Sequence, residues 1–188
     1  MSKSKDKNFD IAVLGLLTAI MLIMGLTPLG TISFGAISIT IAHIPIIVAT
    51  LLLGFKEGLI MGFIFGAFSM TKAYLAPVGI LDPLFQNPLI SIAPRMMIPI
   101  MTYLTSKLVK RLNKTLGATI TVIVGNLSNT FFVYLSMYLF VREAFEAAAG
   151  KSALVAIAGL VSTSTFIKTI IVVIITVPIV TRIKLHKH

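Results

Sequence analysis

Apolar residues in this chain run together in long blocks, and polar residues gather in the gaps between them. Blocks of membrane-spanning length fall at about 9–27, 37–53, 58–74, 85–106, 117–141 and 154–181. A bilayer core about 30 Å thick needs roughly 20 apolar residues in a helix to cross it. The pattern therefore predicts an all-α integral membrane protein with six transmembrane helices, forming a single domain over residues 1–188. The gaps at 27–35, 54–58, 75–84, 107–114 and 142–151 each hold the glycine, proline or charge that ends a span. The second and third blocks are short for a span, so either is open to a partly re-entrant reading.

Composition points the same way. Hydrophobic residues make up 57% of the 188, charged residues only 12%, and mean hydropathy is +1.02. A soluble domain carries about twice that share of charge, so lipid must replace water over most of this surface. No small-residue cleavage site follows the first block, which reads as a retained first span.

The net charge of +10 is unevenly placed and gives the expected orientation. Eleven basic residues, Lys3, Lys5, Lys7, Lys56, Lys107, Lys110, Arg111, Lys114, Arg182, Lys184 and Lys187, fall on the side shared by both termini. Arg142 and Lys151 fall on the other, and Lys72, Arg95 and Lys168 lie within or at the ends of spans. Positive loops stay inside, so the N- and C-termini are expected to be cytoplasmic. The basic loops then lie against the lipid bilayer, and the charge implies no nucleic-acid partner.

Candidate chemistry sits where polarity enters the apolar blocks. Arg95 lies about ten residues into the fourth span and Lys168 near the middle of the sixth, while Lys72 is close to the end of the third. A charge at such depth costs ~2.5–3.5 kcal/mol on insertion scales and usually faces a cavity or a partner. The interior of the spans holds no Asp or Glu. These cations therefore ask for an anion, which a substrate carboxylate could supply. Plainer roles stay open: snorkelling for Lys72, a backbone carbonyl or Asp82 for Arg95, the cytoplasmic edge or another subunit for Lys168.

The fourth span carries Gln86, Asn87, Pro88, Pro94 and Pro99 around Arg95. An interior proline frees a carbonyl, tolerable in a membrane only against protein or water. A broken helix of this kind suits the wall of a polar pocket. Asn126 and Asn129 share a face of the fifth span, for the pocket or for interhelical hydrogen bonds. His43, followed by Pro45, reads as a buried hydrogen-bonding histidine rather than a ligand. In the first span Ala12, Gly15 and Ala19 form a small-residue stripe that would let another helix approach closely, inside this chain or outside it.

Several chemistries lack their residues. The chain has no cysteine, no Walker A sequence, no HExxH and no GxSxG, so neither a metal site nor a catalytic site is expected. It is not expected to be an enzyme or to hold a cofactor of its own.

The stripe at Ala12, Gly15 and Ala19 resembles that of the substrate-binding S components of energy-coupling factor (ECF) vitamin transporters. So do the passages from Ile41-Ala42-His43-Ile44-Pro45 to Gly54-Phe55-Lys56-Glu57-Gly58, from Gly62 to Gly66, and from Phe85-Gln86-Asn87-Pro88 to Pro94-Arg95. Glycine at the first position of the stripe departs from the family's Ala-xxx-Ala. The longer passages are most similar to pantothenate-type members. This resemblance implies a bacterial plasma-membrane protein that binds a vitamin in a pocket formed by the helix 1–2 loop and the outer halves of helices 4 to 6, closed by the helix 3–4 loop. It also implies that helix 1 docks on a transmembrane T subunit, and that two ATPase subunits consume the ATP.

Spare positive charge suits an anion such as pantothenate better than riboflavin, pyridoxine or thiamine. Biotin, niacin and folate satisfy the same charge argument. A small membrane enzyme acting on lipid or peptide would need clustered carboxylates or a nucleophile–base pair. A channel-like oligomer would use the Gly15–Ala19 stripe to associate with itself.

Overall fold

The computed structural model describes residues 2–27, 30–34, 37–77, 81–150 and 152–183. Lys151, Lys184 and Lys187 of the charge count lie outside these residues, as do 28–29, 35–36 and 78–80 of the two loops expected to border a pocket. The fold is almost wholly helical. Its elements are α1 (Ser2–Leu26), β1 (Thr31–Phe34), β2 (Ile37–Thr40), α2 (Ile44–Leu52), α3 (Phe55–Leu75), a 3-10 turn (Asp82–Gln86), α4 (Pro88–Ser91), α5 (Ala93–Leu108), α6 (Lys114–Phe140), α7 (Arg142–Ala149) and α8 (Ala153–Arg182).

Four helices among the described residues are long and apolar enough to cross a membrane: Asn8–Leu26 of α1, α3, α6 and Thr165–Arg182 of α8. The other two apolar blocks are divided. The block at 37–53 opens as strand β2, antiparallel to β1 with Thr31 opposite Thr40 and Phe34 opposite Ile37, and becomes helical only at Ile44. Thr31-Ile32-Ser33-Phe34 and Ile37-Ser38-Ile39-Thr40 alternate with period two and are rich in β-branched residues, which favours a ladder over a helix. The block at 85–106 is split into the 3-10 turn, α4 and α5 by its prolines. The segment 142–151, read from sequence as a loop, contains the short helix α7, pinned by the fully buried Phe145.

α2 is the centre of the molecule. It is apolar all round, and Ile44 to Thr50 are buried on every face, as expected of a helix surrounded by others. α1, α3, α5 and α8 pack around it, and α6 packs on α5 and α8. Met21, Ile46, Ile47, Met61, Ile98, Val122 and Val172 fill the main core between them. A smaller cluster of Ile90, Val133, Met137 and Phe145 lies at the hairpin end, where α4, α6 and α7 meet. α1 is peripheral, with only 11% of its apolar window buried.

Close approach of α3 to the broken helix depends on glycine. A Cβ at Gly62 would stand 2.8 Å from the Arg95 carbonyl oxygen, and one at Gly66 would stand 2.7 Å from Ile92 Cα and 3.0 Å from the Ser91 oxygen. These obstacles are backbone and cannot swing aside. Gly66→Ala is therefore expected to destabilise the protein by about 1–3 kcal/mol, the usual cost of overpacking. A lowered unfolding midpoint in detergent would register it, and an unchanged midpoint would contradict the packing described.

Candidate functional site

Pro94 has no backbone N–H to give to the carbonyl of Ile90 one turn earlier. The guanidinium of Arg95 takes its place: Nη1 donates to the Ile90 oxygen at 2.8 Å. The break that parts α4 from α5 is thus sealed by the side chain that follows it. Arg95 is buried, 8% exposed, with its guanidinium carbon 4.8 Å from the Phe85 ring centroid and 5.9 Å from that of Phe65. Its Nε finds no hydrogen-bond partner among the described residues.

Lys168 of α8 is equally buried and donates to Thr130 Oγ1 of α6 at 2.6 Å. Arg95 and Lys168 lie within electrostatic reach of one another and of His43. Among the described residues the ion pair found is Arg142–Glu146, and no carboxylate is paired with either buried cation. Two like charges in a low-dielectric interior repel, and each carries a large desolvation cost that a paired anion would offset.

Asn126 connects three helices. His43 Nε2 lies 2.9 Å from Asn126 Oδ1, Asn126 Nδ2 donates to Thr169 Oγ1 at 2.7 Å, and the Thr169 hydroxyl donates to the Thr165 carbonyl at 2.7 Å. The chain has one self-consistent direction. Because the threonine proton goes to Thr165, Asn126 must present its amide to Thr169 and its oxygen to His43, so Nε2 carries a proton. His43 and Asn126 are fully buried, and the chain fixes the start of α2 against α6 and α8. One turn further along α6, the buried Asn129 Oδ1 is left without a donor among the described residues.

The remaining sequence candidates have structural partners. Lys72 Nζ donates to the Gly25 carbonyl at 2.8 Å, tying the end of α3 to the last turn of α1. Asn87 caps α4 by accepting from Leu89 N at 2.9 Å, and Gln86 Nε2 donates to the Ala73 carbonyl at 3.1 Å. The Ser91 hydroxyl bonds back to the Phe85 carbonyl. The structure therefore places Arg95, Lys168 and Asn126 in one buried polar region beneath the hairpin, with the half-buried Asn129 one turn from Asn126 along α6. It sets Lys72, Gln86 and Asn87 as braces where α3 meets the broken helix. Sequence reasoning passed over Thr130, Thr165, Thr169, Phe65 and Phe85; the threonines at i+4 from Asn126 and at i−4 from Thr169 were the available signal.

On α1, Ala12, Gly15 and Ala19 are all exposed, and a Cβ built at Gly15 meets nothing within 4 Å. The stripe at Gly58, Gly62 and Gly66 is an internal packing face, whereas the one at Gly15 is open.

Residues 9–180 match the family described as ECF transporter, substrate-specific component. Over 94% of its length the chain is 28% identical to a pantothenic acid transporter, PanT, of Lactococcus lactis subsp. cremoris, covering 94% of that protein as well. It is 31% identical over 52% of its length to a pantothenate transporter, PanT, of Leuconostoc mesenteroides, covering 50% of that protein. A solved structure of ThiT from Listeria monocytogenes superposes on 93% of the chain, with 98% of its own chain covered, a TM-score of 0.61 and 21% identity, so the fold is shared. With its apolar helices, its fold and this match over nearly the whole sequence, the chain belongs to the ECF transporter substrate-specific components, a family of transporter subunits and not of enzymes.

Proposed function

We propose that the chain is the pantothenate-binding S component of a bacterial ECF importer. It would cross the plasma membrane six times with both termini in the cytoplasm. The hairpin and α2 together would make the second crossing, and the broken α4–α5 unit the fourth. The likeness to two pantothenate transporters supports the choice of vitamin. The observation that carries it is the pair of buried cations, Arg95 and Lys168, with no carboxylate paired to either among the described residues.

A pantothenate carboxylate between them would neutralise the repulsion and accept from Arg95 Nε. The Asn129 oxygen would accept from a hydroxyl or amide of the same ligand. Phe65 and Phe85 already lie on the guanidinium and would exclude water from the charge pair, which strengthens it. Lys72, Gln86 and Asn87 would act at the mouth of the pocket by holding α3 to the broken helix. Transport would need a T subunit docked on Ala12, Gly15 and Ala19, and two ATPases to consume the ATP.

Titration of the purified protein with pantothenate and with pantothenol, its neutral alcohol analogue, tests the reading. Losing one partner of a buried charge pair costs about 2–5 kcal/mol, so pantothenol should bind at least ~30-fold more weakly. Equal affinities would exclude a carboxylate at these cations. Tighter binding of biotin, niacin or folate in competition would reassign the vitamin while keeping the charge argument.

A further inference from the structure

At the end of the bundle opposite the hairpin, a cavity of about 670 Å³ opens between the ends of α2, α5, α6 and α8. Leu51, Leu52, Ala118 and Val180 give it apolar walls, and Lys110 and Lys114 bring positive charge to it. Lys114 Nζ donates to the Thr181 carbonyl, strapping the first turn of α6 to the last turn of α8, and Lys110 is exposed. Arg111 and Arg182, at the same end, are also exposed. The buried cations beneath the hairpin lie at the other end, so a vitamin held there makes no use of this space.

We propose that this cavity holds an anionic phospholipid of the adjoining leaflet, its phosphate at Lys110 and Lys114 and the first part of an acyl chain along Leu51, Ala118 and Val180. Basic pockets between transmembrane helices on the cytoplasmic side take acidic headgroups, and basic residues near the surface draw anionic lipid to them. The lysines alone would suit any phosphate. The apolar walls call for a phosphate that carries hydrocarbon. Burial of a polar headgroup beside a chain also suits a site at the membrane edge, where both phases are within reach. The proposal rests on the reading that this end of the bundle lies at a membrane surface, and is independent of which vitamin is bound.

Native mass spectrometry of the detergent-purified protein, titrated with phosphatidylglycerol or phosphatidylcholine, tests it. Phosphatidylglycerol should bind in preference. Lys110→Gln should weaken it about fivefold and Lys110→Gln with Lys114→Gln about thirtyfold, at roughly 1 kcal/mol per basic residue. Ala118→Phe, which keeps both lysines and fills the apolar wall, should also weaken it, and glycerol phosphate should not compete. Unfolding midpoints of each variant separate lost binding from lost fold, and Lys110→Gln alone leaves the Lys114 strap in place. Equal binding of the two lipids, full competition by glycerol phosphate, or undiminished phosphatidylglycerol binding in the folded variants would each overturn the proposal. A pantothenate titration on the same preparations reports separately on the vitamin site.

Discussion

Replacing Arg95 by glutamine is expected to abolish the preference for pantothenate over pantothenol and to weaken pantothenate itself by about 2–5 kcal/mol, roughly 30-fold to several thousandfold. On the proposed reading Arg95 has two tasks, and the experiment has to separate them. Its Nη1 satisfies the Ile90 carbonyl that Pro94 leaves free, and its Nε has no hydrogen-bond partner among the described residues. Losing the first task leaves a buried carbonyl without a donor, worth about 1–3 kcal/mol of stability. Losing the second would remove half of the proposed ion pair with the ligand.

Unfolding without ligand reads the first effect, and the ratio of pantothenate to pantothenol affinity reads the second. Glutamine can still donate one hydrogen bond, so the variant should lose more in that ratio than in stability. Arg95→Lys sharpens the test. It keeps the charge but loses the planar fork that can serve Ile90 and a carboxylate together. An intermediate affinity with the preference for the acid retained is expected. If Arg95→Gln lowers both affinities equally, the residue holds the helix break together and does not read the carboxylate.

The partial legibility of this site in the sequence has a physical reason. A charge in an apolar block is conspicuous because its cost is so high, and that singled out Arg95 and Lys168. Proline marks a freed carbonyl without saying what will occupy it, and here the occupant proved to be the next side chain along. Asn87 shows the opposite case. Asparagine directly before proline is also a helix-start signal, and the structure uses it so, with Leu89 N donating to its side chain. The Asn126 chain to His43 and Thr169 spans residues far apart in sequence, which no local pattern can pair.

The same distinction holds for the fold. Long apolar blocks carried α1, α3, α6 and α8 clearly, because length and hydropathy alone define a spanning helix. Inside 37–53, the change from period two to helical winding falls within one unbroken apolar run. Hydropathy does not register it, so the pattern predicts helix where β2 forms, while β1 falls in the gap at 27–35. α7 was missed for the opposite reason: Arg142-Glu143-Ala144-Phe145-Glu146 is polar enough to pass for a loop until Phe145 is seen to be buried.

Gly15→Leu or Ala19→Leu is expected to abolish pantothenate uptake by the assembled transporter while leaving ligand binding by the solitary protein within about twofold, the span of effects of ±0.5 kcal/mol usual for surface substitutions. The argument rests on a contrast between two small-residue stripes in one chain. At Gly62 and Gly66 an added Cβ strikes the backbone of the broken helix, so those glycines are needed for folding. At Gly15 an added Cβ meets nothing within 4 Å, and Ala12 and Ala19 are exposed beside it. Leucine at Gly15 should even favour the helix by up to about 1 kcal/mol.

An open small-residue face on a membrane helix has no packing task among the described residues, and would suit the close approach of another helix. Leucine would hold that helix away and forfeit the contacts that depend on near backbone packing. Uptake in proteoliposomes containing the T subunit and both ATPases, set beside titration of the isolated variant, measures the two effects. Co-purification of the T subunit with wild type but not with Gly15→Leu would place the loss at docking. If binding by the solitary protein falls as far as uptake does, α1 supports the ligand pocket instead, and the stripe is not a docking face.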